Sequence, residues 1–225
     1  MVINKIPLFT IFKIAVIWIL SDIGYYLLPL LGLRTSYNDH PIWIALYYTF
    51  WVFISIFLFW NDFKGWEPVR SWRSAGIFMV MFITILVMFS YFIMPGLPPV
   101  IWTESWDPPD LMVANPWYLL PKAIEIFLQQ LLISVLVISF LRNKFDIRII
   151  SIICMALFGG AHFFLALNKL PIEYVVRFIV SATAFGYLFP RIIVRPNGFL
   201  YSYGLHWFYY VITIIMAHTV SPYAG

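Results

Sequence analysis

Residues 117–141 read WYLLPKAIEIFLQQLLISVLVISFL. The stretch exceeds the about 20 mostly apolar residues that a helix needs to cross a hydrocarbon core. It nevertheless carries Glu125, Gln129, Gln130 and Ser134 along its length. A strongly polar side chain held at mid-bilayer costs on the order of 3 kcal/mol, so each of these needs a partner or a purpose. A membrane helix that keeps polar groups inside belongs in a bundle that shields them.

Working outward, six further apolar stretches at 6–32, 41–60, 74–96, 147–167, 171–190 and 198–219 are separated by Pro, Gly, Asn or clustered charge, the punctuation that ends helices. They are too long and too uniformly apolar for barrel strands, which alternate polarity over about ten residues. The sequence therefore predicts an all-α, polytopic membrane bundle of about seven transmembrane helices in one membrane domain spanning 1–225. Composition agrees. Hydrophobic residues make up 63% of the 225-residue chain, charged residues 11% and aromatics 20%, and the mean hydropathy is +0.89. Soluble domains carry roughly 25% charged residues, so a soluble enzyme, a nucleic-acid binder and a disordered regulator are excluded. The single cysteine, Cys154, rules out an intrachain disulfide. No small-residue cleavage site follows the first apolar run, which reads as a retained helix.

Basic residues set the expected orientation. Lys5, then Lys64, Arg70 and Arg73, then Arg142, Lys144 and Arg148, then Arg191 and Arg195 fall at the N-terminus and in every second loop. The opposite loops hold Arg34 and Lys169, while the loop 96–116 has no basic residue and contains Glu104, Asp107 and Asp110. The N-terminus is expected in the cytoplasm and the C-terminus outside, so the net charge of +4 is a topology signal. The Trp102 and Trp106 side chains and the proline pairs of 96–116 read as an interfacial anchor.

The intramembrane polar residues are Asp22, Glu125, Gln129, Gln130, Ser134, His162, Arg177 and His206. Lys13 and Lys122, near span ends, are expected to snorkel, and His40 and His218 to be solvated. Glu125 and Gln129 share a helical face, and Gln130 and Ser134 repeat that spacing on a neighbouring stripe. At about 1.5 Å of rise per residue, Glu125, His162, Arg177 and His206 all fall in the outer half to the middle of the bilayer. A carboxylate with two imidazoles suits a general base activating water or a small metal site. It equally suits an inert polar network tying helices together. Arg177 is a candidate ion-pair partner for Glu125, with Glu173 competing.

Phe158-Gly159-Gly160-Ala161-His162, and the segment from Phe185-Gly186 through Arg195, Gly198 and Leu200 to His206, resemble motifs of the CPBP family. This is the family of CAAX-processing and bacteriocin-immunity (Abi) intramembrane peptidases of glutamic type. The resemblance covers 117–215, the core of spans four to seven; the three spans of 1–96 offer hydrophobicity alone. The family's motifs are Glu-Glu-x-x-x-Arg, Phe-x-x-x-His and His-x-x-x-Asn. Here Tyr210 stands in place of the asparagine, and the first motif is degenerate. In one register Glu125 keeps one Glu and Gln129 replaces the Arg; in the other, Gln129 and Gln130 occupy the Glu positions and Ser134 the Arg.

The resemblance implies a peptidase-type cavity, while the amides imply altered chemistry, since a glutamine has no proton affinity near neutral pH. The expected function is binding of a transmembrane peptide, a membrane lipid or a membrane protein partner without the usual catalysis. The alternative is an active endopeptidase in which Glu125 activates water, His162 and His206 stabilise the oxyanion or relay a proton, and Gln129 orients Glu125. No cofactor, no resident metal and no nucleic acid are expected, although Glu125, His162 and His206 would make a three-ligand zinc site. The resemblance points to a bacterial or archaeal cytoplasmic membrane.

Overall fold

The computed structural model describes residues 6–27, 36–66, 71–105, 108–163, 165, 170–220 and 223–224, excepting the side chains of Ile23 and Tyr26. Among them every regular element is helical, and the one β-like contact is an isolated bridge between Val100 and Ala224. The elements are α1 (Leu8–Leu27), α2 (Pro41–Leu58), the single turn α3 (Trp60–Phe63), α4 (Trp72–Met88), α5 (Leu119–Arg142), α6 (Ile147–His162), α7 (Ile172–Ile193) and α8 (Gly198–Thr219). After α4 the chain continues through a π-helical turn (Phe89–Ile93) and a 3-10 turn (Met94–Gly96).

Local chemistry sets the boundaries. Pro41 opens α2, where its missing N–H costs nothing. The Ser71 hydroxyl accepts from the Ser74 amide at the start of α4, and the Asp146 carboxylate accepts from the Arg148 amide at the start of α6. Between α7 and α8 the chain reverses through Asn197 at φ 59°. Gly198 follows because a Cβ there would run into the Ile192 carbonyl.

Five helical segments are long and apolar enough to cross a membrane: Pro41–Leu58, Trp72–Gly96, Leu119–Arg142, Ile172–Ile193 and Gly198–Thr219. The Ile147–His162 helix is apolar but shorter, at 16 residues. The expected span 147–167 thus ends as an α-helix at His162; of residues 164–167 only Leu165 is described. α1 has 20 residues and carries Lys13 and Asp22.

α5 is the axis of the bundle. Its apolar window is 78% buried inside the protein, against 28% for α2 and α7 and 22% for α4. It packs on α1, α2, α7 and α8, which turn large apolar side chains such as Phe12, Phe53, Phe57 and Val180 outward. A helix with its own surface covered on all sides can afford polar side chains only where neighbours partner them. α6 and α7 form the closest pair. At Gly186 a Cβ would lie 2.6 Å from the Cys154 carbonyl oxygen, and at Gly159 it would strike the Thr183 hydroxyl. Small residues here let two backbones touch, as in membrane helix pairs generally.

The 96–116 connection, expected to anchor at the interface, is held against the protein. Leu111, Met112 and Ala114 are buried. The Ile101 amide donates to the Tyr223 carbonyl (2.7 Å), and the Trp102 and Tyr223 rings lie 4.7 Å apart. Trp106 lies outside the described residues. His218, expected to be solvated, is buried, and its Nδ1 donates to the Pro98 carbonyl at 2.8 Å. A loop folded back over the helix end removed it from water.

Candidate functional site

The first three turns of α5 place Lys122, Glu125 and Gln129 on one face. Glu125 is 7% exposed. Its Oε2 lies 2.6 Å from the Lys122 ammonium and accepts from the Tyr37 hydroxyl, also at 2.6 Å. Its Oε1 accepts from the Gln129 amide at 2.9 Å. Both carboxylate oxygens are therefore engaged by donors, one of them a full positive charge. Charge-assisted bonds of this length are the strong ones, and only such a set makes a buried ion pair tolerable.

The sequence expectation for Lys122 is corrected here: it does not snorkel. Its side chain is 11% exposed, and its ammonium lies 4.5 Å from the Tyr210 ring centroid and 5.1 Å from that of Tyr37. Two ring faces and a carboxylate replace the water it gives up. Arg177 is not the partner of Glu125. Its guanidinium lies over the Tyr174 ring at 5.1 Å, and its Nη1 is buried without a hydrogen-bond partner among the described residues.

Tyr37 comes from the short connection between α1 and α2. Its single hydroxyl proton goes to Glu125, so Tyr48 of α2 supplies the proton shared between the two phenols, whose oxygens are 2.8 Å apart. Burial first, and the adjoining Glu125 carboxylate second, hold the Tyr37 phenol well above its ordinary pKa. The connection is clamped from outside the helices. Asp110 Oδ2 accepts from the Tyr37 amide and the Tyr25 hydroxyl, each at 3.1 Å. Asn115 donates twice to Asn38, from its backbone amide to Asn38 Oδ1 and from its Nδ2 to the Asn38 carbonyl, both at 2.9 Å. Asp22 of α1 stands within electrostatic reach of both Glu125 and Lys122.

The histidines occupy a second locus. Gln130, fully buried on the neighbouring stripe of α5, donates from Nε2 to His206 Nδ1 at 3.0 Å. This leaves the proton of a neutral His206 on Nε2. The His206 ring lies 5.6 Å from Phe189 and 5.7 Å from Tyr210. His162 has the opposite tautomer: its Nδ1 donates to the Phe158 carbonyl at 2.7 Å, one turn back, so Nε2 carries the lone pair. Its ring stacks on Phe178 at 6.1 Å. His162 and Lys122 are both within electrostatic reach of His206.

The structure thus joins Glu125 to Gln129, and Gln130 to His206, while His162 is fastened to its own helix. No hydrogen bond links Glu125 to either histidine among the described residues. Nor do three His, Cys, Asp or Glu residues among them stand close enough to hold a metal ion. Sequence reasoning missed Tyr37, Tyr48 and Asp110, and misassigned Lys122. The spacing of three between Lys122 and Glu125 was the available signal.

Beside this centre a crevice of about 240 Å³ opens between α2, α5 and α8. Thr49, Val52 and Phe53 line one wall, Ala123, Ile124 and Phe127 the other, and Tyr203 closes it. The Tyr203 hydroxyl donates to the Ala123 carbonyl at 3.2 Å. The walls are almost wholly apolar, so the crevice takes hydrocarbon rather than a charged substrate. No family model, curated protein or solved structure matches this chain.

Proposed function

We propose that this chain is an integral membrane protein of CPBP-like design that binds an apolar transmembrane peptide without hydrolysing it. One observation carries the reading. Glu125, the carboxylate nearest to the degenerate first motif, already receives Lys122, Tyr37 and Gln129. A general base needs a lone pair directed at water, and three of the four lone-pair positions of this carboxylate are taken, one of them by an ammonium at 2.6 Å. The residue meeting His206 is Gln130, an amide that cannot take up a proton near neutral pH. The scaffold of a polar-cored peptidase is retained, and its acid serves the fold.

The peptide would lie in the apolar crevice along Phe53, Ile124 and Phe127, the last two flanking Glu125 in sequence. In this reading α1 and α6 join the five long helices to make seven spans. The basic loops then face the cytoplasm of a bacterial or archaeal cell. The endopeptidase alternative draws support from the complementary tautomers of His162 and His206, which offer one lone pair and one donor.

The two are separated in proteoliposomes holding the purified chain and a hydrophobic transmembrane peptide. The expected result is capture of intact peptide by a photo-crosslinker placed at Phe53, with no cleavage products by mass spectrometry. Time-dependent cleavage that disappears in Glu125→Gln would overturn the binding role and establish the enzyme.

A further inference from the structure

A second crevice, about 370 Å³, lies at the opposite end of α5 from Glu125. Val137, Ile138 and Leu141 of α5 line it together with Ile193 and Arg195, and Trp66 supplies a further wall. That wall is fixed: the Trp66 ring stacks on Phe63 at 5.7 Å and meets Phe199 edge-on at 5.8 Å. Arg142 pins the same connection by donating to the carbonyls of Lys64 (2.8 Å) and Asn61 (3.2 Å). Pre-formed, concave and mixed in polarity, this is the form of a ligand site.

Its charge says which ligand. Arg195 is exposed at the mouth, with no ion pair among the described residues. The tight α7–α8 turn fixes its backbone through Arg195 N–H to the Ile192 carbonyl (2.9 Å) and Gly198 N–H to the Arg195 carbonyl (2.9 Å). Lys64, Lys144, Arg148 and Arg191 lie at the same end of the bundle. The two acids described there are occupied, Asp146 in capping α6 and Asp62 beside Arg142 at 3.8 Å. Apolar side chains beside a tryptophan and an arginine that has no ion pair among the described residues match an acyl chain beneath a phosphate.

We infer that this crevice binds an anionic phospholipid, with its phosphate on Arg195 and an acyl chain along Val137, Ile138, Leu141 and Ile193. The site is separate from the peptide crevice and does not depend on it.

The test uses the purified full chain in neutral detergent, with bound lipid counted by native mass spectrometry. Dioleoylphosphatidylglycerol is compared with dioleoylphosphatidylcholine, which has the same chains and no net charge. The expected preference for the anionic lipid is about fivefold or more, the effect of one basic residue at a membrane surface. Arg195→Gln removes that preference, Arg148→Gln at the same end retains it, and Leu141→Trp, which fills the crevice, lowers retention of both lipids. Equal binding of the two lipids overturns the assignment. So does an equal loss in Arg148→Gln and Arg195→Gln, which would mean diffuse charge. Displacement by glycerol 1-phosphate at the concentration where the lipid binds would identify a soluble phosphate instead.

Discussion

Two polar loci share α5, and they are finished to different degrees. Around Glu125 the partners are complete: Lys122, Tyr37 and Gln129 hold the carboxylate, and Tyr48, Asp110, Asn38 and Asn115 hold those partners in turn. On the side that faces α6 to α8 the partnering is thinner. Gln130 Oε1 and the hydroxyls of Ser134, Ser151 and Tyr174 are buried without a partner among the described residues, as is Arg177 Nη1. A charge out of water must be matched almost completely, whereas a neutral hydroxyl or amide left single costs about 1–3 kcal/mol. The difference teaches that the acid is where the fold is fastened, and the histidine side is where capacity is left over.

The contrast breaks most directly at Lys122. Lys122→Met strands a buried carboxylate and is expected to destabilise the protein by about 3–5 kcal/mol, read as loss of the folded fraction in a denaturant titration in detergent. Adding Glu125→Leu to it should recover most of that loss, because an apolar pair needs no compensation. If Lys122→Met costs no more than an exposed lysine substitution, the Glu125 locus is not the fastening point. Tyr37→Phe comes next. It removes one hydrogen bond to a charged group, an expected cost of about 1.5–3 kcal/mol in the same titration. Gln130→Leu, on the sparse side, leaves His206 Nδ1 single but also removes the unpartnered Gln130 Oε1, so it should cost about 1 kcal/mol. A larger loss there than at Tyr37 would reverse the comparison.

The smallest effect sharpens it through pH. The Tyr37 phenol titrates well above its ordinary value of 10.0 when folded, so the unfolded chain loses that proton first. The contribution is fully present below pH 10 and is lost as pH rises beyond it. Stability of the wild type should fall more steeply above pH 10 than that of Tyr37→Phe, with the remaining tyrosines common to both. Parallel profiles would mean that the phenol is not shut in against Glu125.

The helices were legible because a bilayer span is a composition signal, and the runs at 41–60, 117–141, 171–190 and 198–219 reappear within a few residues as α2, α5, α7 and α8. The polar stripes of α5 were legible for the same reason, as exceptions to that composition. The partners of Glu125 were not. Tyr37 is 88 positions away, in a chain rich in tyrosine, and its value lies in where Asp110 holds it rather than in its type. Lys122 was misread because depth along a helix does not say what surrounds it. A residue near a span end snorkels only if nothing covers that end, and here Tyr37, Tyr210 and the 108–115 segment do. The alignment of Gln130 with His206 was half visible: both fell in the family-like stretch, but only packing selects Gln130 over Gln129 as the one that touches the ring.

The glycine contacts at 159 and 186 carry a mechanical consequence. At 186 the Cys154 carbonyl already stands where a Cβ would go, and at 159 the Thr183 hydroxyl does, so the α6–α7 seam has no room for a further atom. A guest admitted to the bundle must enter along another edge.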